Sequence, residues 1–156
     1  EVMFLLGALY LELGKEERAV DLFSRTLKIN PDDDNSLNSL GYIYAERGEK
    51  LDEAHAMVVR ALELDPDNGA YLDSLGWVYY QKGEYDKALD FLFQAEKALK
   101  DPVIYEHLGD VYLKIDDQEN AKIYWEKSLE LLPDQEGVLK KIRQISDPSL
   151  SESHPQ

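Results

Sequence analysis

The chain has 156 residues, 44% of them hydrophobic, with 32 acidic against 17 basic side chains and a net charge of −15. That balance excludes a nucleic-acid binder, whose phosphate contacts need Lys and Arg, and acidity by itself otherwise favours solubility. The absence of cysteine rules out disulfides and thiolate metal sites and leaves the redox compartment open, and no stretch is long and apolar enough to span a bilayer.

A first helix is predicted over about residues 1–13, apolar on nearly every face. Met3, Leu6 and Tyr10 point to a partner helix, while Val2, Phe4, Leu5, Leu9 and Leu11 point elsewhere. A helix apolar all round is a buried one, so a covering element is expected: a preceding helix pair, or a second copy of the chain meeting it through this helix. A membrane-surface helix would carry Lys and Arg on a polar face, and this one does not. Glu1 falls in mid-pattern with no initiator Met and no basic leader, so the chain reads as part of something longer.

A second helix follows over about 16–29. The turn NPDDDN, residues 30–35, lacks the glycine and the terminal Glu of a calcium loop, so its acids are read as caps for a helix beginning near Asn35. In the second pair an extra residue falls within Glu49-Lys50-Leu51, at the helix–helix turn, where an insertion costs little. The third pair, over 69–101, is one residue short and its proline is displaced to Pro102, which alters the angle to the fourth pair. The fourth pair has Asp116 where the others have a turn glycine, and a less settled turn is expected there. Beyond Pro133, Val138, Leu139, Ile142 and Ile145 share one helix face, with Lys140, Lys141, Arg143 and Gln144 on the other. This is a single amphipathic capping helix over 135–145, followed by an aperiodic tail, 146–156, expected to be disordered.

The pairs are copies of one another. Leu72, Leu75-Gly76, Tyr79, Gly83, Ala88, Leu92 and Ala95 recur as Leu37, Leu40-Gly41, Tyr44, Gly48, Ala54, Val58 and Ala61. They recur again as Met3, Leu6-Gly7, Tyr10, Gly14, Ala19, Phe23 and Thr26. The last copy is Tyr105, Leu108-Gly109, Tyr112, Ala121, Trp125 and Ser128. Small Gly76 and Ala88 let two helices approach, Gly83 supplies a left-handed cap, and Pro31, Pro66 and Pro133 follow helices they cannot continue. The glycines Gly7, Gly41, Gly76 and Gly109 lie 34, 35 and 33 positions apart, which resembles the period of about 34 of a tetratricopeptide repeat. The resemblance covers residues 1–134. It implies an all-α, right-handed α-solenoid of four helix-turn-helix units, about 1–33, 34–68, 69–101 and 102–134, with the capping helix at its end.

No catalytic constellation is found. His55 has no obvious partner, and His107 with Asp110 makes only two of the three protein groups a metal centre usually needs. Neither a phosphate-binding glycine loop nor a nucleophile elbow is present, so no enzyme activity, cofactor or metal is expected. The stronger feature is a stripe flanking the core of each first helix: Phe4, Ala8 and Leu11, then Asn38, Tyr42 and Ala45, then Asp73, Trp77 and Tyr80, then Glu106, Asp110 and Leu113. The resemblance implies that first helices line a concave groove. Asn38, Tyr42, Asp73, Trp77, Tyr80, Glu106 and Asp110 are therefore the candidate partner-binding residues, Trp77 and Tyr42 as exposed anchors, with packing against the neighbouring repeat as the alternative for Trp77 and Tyr80. Some family members grip a C-terminal carboxylate with Lys, Asn and Arg, but the matching positions here hold Phe4, Ala8, Ser39, Ala70 and Ser74. With only Lys114 to oppose the acids, the expected partner is a basic or polar protein segment offering an apolar side chain. The expected function is a non-catalytic protein-interaction scaffold. The alternatives are a recruiting segment of a larger enzyme with its catalytic domain upstream, and a self-association module. The runs LDSLGWVYYQKGEYDKAL, YEHLGDVYLK and AKIYWEKSLEL also resemble the C-terminal part of long bacterial repeat lipoproteins, which implies a periplasmic, outer-membrane-tethered setting over a cytoplasmic one.

Overall fold

The computed structural model describes residues 2–147, and among them the secondary structure is nine helices. They are α1 (Val2–Glu12), α2 (Glu16–Ile29), α3 (Asp34–Glu46), α4 (Leu51–Leu64), α5 (Gly69–Gln81), α6 (Tyr85–Ala98), α7 (Pro102–Lys114), α8 (Gln118–Leu131) and α9 (Glu136–Ser146). Residues 148–156, most of the tail expected to be disordered, lie outside the described residues. The chain divides into two compact units, Glu1–Ala98 and Leu99–Gln156. The division falls at Leu99-Lys100-Asp101, where the third repeat is one residue short.

In the first unit α1 pairs with α2, α3 with α4 and α5 with α6, and α3 and α5 each also pack on the second helix of the pair before. The pairs close on a small residue facing a large one. A Cβ built on Gly7 would stand 2.5 Å from the Phe23 ring, and one on Gly41 2.7 Å from Val58 Cγ2. On Gly76 it would stand 2.7 Å from Leu92 Cγ. Ala19, Phe23, Ala54, Val58, Ala88 and Leu92 are wholly buried as a result. The pairs are also linked by ions: Arg47 Nε lies 2.7 Å from Glu16 Oε1, and Lys82 Nζ 2.7 Å from Asp52 Oδ1. His55, for which the sequence offers no partner, has one in Tyr79, whose hydroxyl lies 3.0 Å from its Nε2.

The second unit repeats the arrangement in α7 and α8, with Gly109 against the Trp125 indole. Helix α9 then lays Val138 into the cluster of Ala121 and Trp125, with Ile142 and Ile145 packed beside it.

Each first helix ends in the same way. The N–H of Lys15, Glu49, Glu84 and Asp117 donates to the carbonyl of Tyr10, Tyr44, Tyr79 and Tyr112, at 2.8–2.9 Å, and the residue before the donor is left-handed. In the fourth pair that residue is Asp116, at φ 62°. The turn expected to be less settled is thus closed by the same hydrogen bond, in a conformation an L side chain adopts at a cost. The inserted Lys50 is left-handed as well, at φ 48°, and its ammonium sits 4.5 Å from the Tyr44 ring centroid. The acids of the NPDDDN turn do cap: Asp33 accepts from the Ser36 N–H at 2.9 Å, and the helix starts one residue earlier than expected.

Asp116→Gly should raise stability by about 0.5–1 kcal/mol, because glycine meets no Cβ penalty there. Gly109→Ala should lower it by about 1–3 kcal/mol by driving a methyl into Trp125. Urea unfolding followed by circular dichroism measures both, and the opposite sign in either would contradict the packing described.

Candidate functional site

In the first unit the candidate stripe lies on α3 and α5. Asn38 and Tyr42 are one turn apart on α3 and half-buried, and the Asn38 Oδ1 is buried without a hydrogen-bond partner among the described residues. On α5 the Trp77 indole lies flat on Tyr80, with ring centroids 4.3 Å apart and planes 10° apart. Trp77 is only 7% exposed and belongs to the core cluster with Leu40, Ile43 and Leu75. Asp73, one turn earlier, is also 7% exposed.

The expectation of Trp77 as an exposed anchor, with Asp73 on the same exposed face, is therefore corrected: both are buried. An indole brings about 150–250 Å² of surface to cover, and the neighbouring α3 and the stacked Tyr80 cover much of it. What this stripe leaves partly exposed is Tyr42, Tyr80 and part of the Asn38 side chain, whose amide oxygen is buried.

In the second unit Glu106 and Asp110 lie one turn apart on α7 and converge on a lysine. Lys141 Nζ, from α9, is 2.7 Å from Glu106 Oε1 and 2.7 Å from both Asp110 carboxylate oxygens. The same ammonium lies 5.8 Å from the Trp125 ring centroid, and the Trp125 indole N–H donates to Asp110 Oδ1 at 3.0 Å. Burial pushes the Asp110 carboxyl above its ordinary range, and Lys141 offsets only part of that. For Lys141 the balance is reversed: burial would lower it, but Asp110 and then Glu106 outweigh burial and hold the ammonium charged.

Helical periodicity puts Lys141 on the solvent face of its helix and leaves Lys114 as the sole opposing cation. The structure corrects both points. Lys141 follows the buried Val138 by three positions, so it lies along the same flank, and that spacing was the available signal. His107, beside this group, is buried. Among the described residues no group of three or more His, Asp or Glu side chains is placed to hold a metal ion. Nor is any described helix long and apolar enough to cross a membrane.

Close-packed helix pairs with a common turn, carrying amide, tyrosyl and carboxylate side chains on their first helices, define an all-α helical-repeat protein of the kind that binds other proteins. Family models described as Tetratricopeptide repeat match residues 1–33, 38–102 and 103–135. The chain belongs to the tetratricopeptide-repeat family. No curated protein matches it.

Among solved structures, PilF of Pseudomonas aeruginosa is similar at 28% identity and a TM-score of 0.73, over 90% of this chain and 64% of that one. The chain thus spans less than two thirds of that relative's length. The thermophilic TPR protein TTC0263 of Thermus thermophilus is 22% identical with a TM-score of 0.65, over 91% of this chain and 96% of that one. A chain of the APC/C hetero-tetramer Cut9–Hcn1 is 22% identical with a TM-score of 0.78, over 91% of this chain and 29% of that one. The last two likenesses show the fold alone. Proteins of this family mediate protein–protein interaction, and scaffolds built from such repeats are typically non-catalytic.

Trp77→Ala should behave as a core truncation, lowering stability by about 3–5 kcal/mol, whereas Tyr42→Ala should cost about 1 kcal/mol. Thermal melts of the two variants measure the difference; equal, small shifts would return Trp77 to the surface.

Proposed function

We propose that this chain is a non-catalytic scaffold that binds a segment of another protein on its first-helix stripe. The first unit contributes Asn38, Tyr42 and Tyr80, and the second, separately, Glu106 and Asp110. Trp77 supports the stripe from beneath, its indole stacked on the Tyr80 ring. The observation that carries this reading is the pair of half-exposed tyrosines, Tyr42 and Tyr80, with the Asn38 side chain one turn from Tyr42. Tyrosines beside such an amide supply apolar contact at low entropy cost.

The ligand chemistry follows from charge. With a net charge of −15, a segment bound at the first unit is basic or polar with an apolar side chain for the tyrosines, and one bound at the second meets the carboxylates on α7. The likeness to PilF of Pseudomonas aeruginosa at 28% identity accords with a bacterial setting, and the resemblance to repeat lipoproteins favours a periplasmic one.

The test compares proteins captured by the immobilised wild-type chain and by Asn38→Ala/Tyr42→Ala/Tyr80→Ala, with melting temperatures measured for both. A specific partner should be captured by the first and lost from the second. Its association rate should fall as salt rises, because steering by exposed charge is screened over about 8–10 Å. Equal capture by a folded triple variant would move the interface off this stripe.

A further inference from the structure

The lysine on α9 meets two carboxylates that occupy stripe positions of α7. Glu106 and Asp110 stand where α3 has Asn38 and Tyr42 and α5 has Asp73 and Trp77. Two carboxylates at 2.7 Å and an indole face at 5.8 Å make a complete receptor for one ammonium group. Asp110 is also committed to that arrangement by the Trp125 N–H, which holds one of its oxygens in place.

We propose that α9 is an internal occupant of a lysine-binding site on α7, and that a partner's lysine displaces it. The proposal deepens the function given above and rests on its reading of a basic partner. With α9 in place, removing only the charge of Lys141 leaves a largely buried carboxylate without a countercharge. The lysine of α9 and a partner's lysine would fill the same position on α7 and are therefore alternatives.

The attachment of α9 suits exchange. It is an 11-residue helix with one buried residue, Val138, and Ile142 and Ile145 are only partly covered. The acids it holds remain within reach of solvent, with side chains 28% exposed at Glu106 and 15% at Asp110. The internal occupant also specifies its competitor: a helical segment bearing a lysine, with one aliphatic residue three positions before it and another directly after, as in Val138, Lys141 and Ile142.

The experiment uses the full chain, its Lys141→Gln variant and Asp110→Asn/Lys141→Gln, the last leaving no ammonium to replace at Asp110 and guarding against failure of the single variant to fold. Amide hydrogen exchange over 136–146 reports whether α9 is released. A fluorescent peptide of sequence 135–147, and its counterpart with glutamine at position 141, report whether the vacated site takes a lysine. In Lys141→Gln, α9 should exchange faster by about tenfold or more while α7 and α8 keep their protection. The lysine peptide should bind that variant about tenfold or more tighter than it binds wild type, and tighter than the glutamine peptide binds. The double variant should release α9 and lose the preference for the lysine peptide. Unchanged exchange of α9, or equal binding of the lysine peptide to wild type and Lys141→Gln, overturns the displaceable α9 while leaving the basic-partner reading standing. Release of α9 with no preference for the lysine peptide overturns the basic-partner reading and the displacement together.

Discussion

The contact on which everything else depends is a glycine on each first helix against a large side chain on its partner: Gly7 with Phe23, Gly41 with Val58, Gly76 with Leu92 and Gly109 with Trp125. A missing Cβ lets the helix axes approach until the large residue is wholly enclosed, and enclosure by direct contact recovers both the hydrophobic and the dispersion terms. The partner varies from valine to tryptophan while the glycine does not, because only the small side of the contact limits the approach. The left-handed residue after each first helix is the second half of the device. It returns the chain at once, so that the partner helix arrives at the right height.

Charge in this protein does two different jobs. Arg47 and Lys82 each immediately precede a turn glycine and reach an acid in the first turn of the second helix of the pair before, Glu16 and Asp52. These are exposed pairs between neighbouring repeats, each of modest energetic value, and they fix register more than stability. Ile115 stands at the same place before Asp116 and offers no cation. The Lys141 group is of the other kind. Its carboxylates are partly out of water, and Lys141 supplies their countercharge there.

The aromatic residues divide in the same way. Trp77 and Trp125 are structural, one beneath a tyrosine and one beneath a carboxylate, and each sets the position of the group above it. The residues that meet solvent are the smaller or more polar ones they support: Tyr80, Tyr42, Asn38, Glu106. Each indole, within its own unit, holds the group above it in a fixed position.

The repeat and its class were legible in the sequence because each position of the pair is set by local chemistry: a glycine where helices touch, a cap where one ends, a proline where the next cannot continue. The start of α3, at Asp34, falls one residue before the position its capping acids suggest. What only the tertiary structure decided is which residues of the stripe meet solvent and which charges meet each other. Periodicity places Trp77 and Asp73 on a helix face, but whether that face is open depends on the neighbouring helix and on Tyr80 folding over the indole. The same holds for Lys141, which lies on the border between the apolar and polar faces of α9. Helical spacing assigns a residue to a face, and only the packing of one helix against another determines what that face meets.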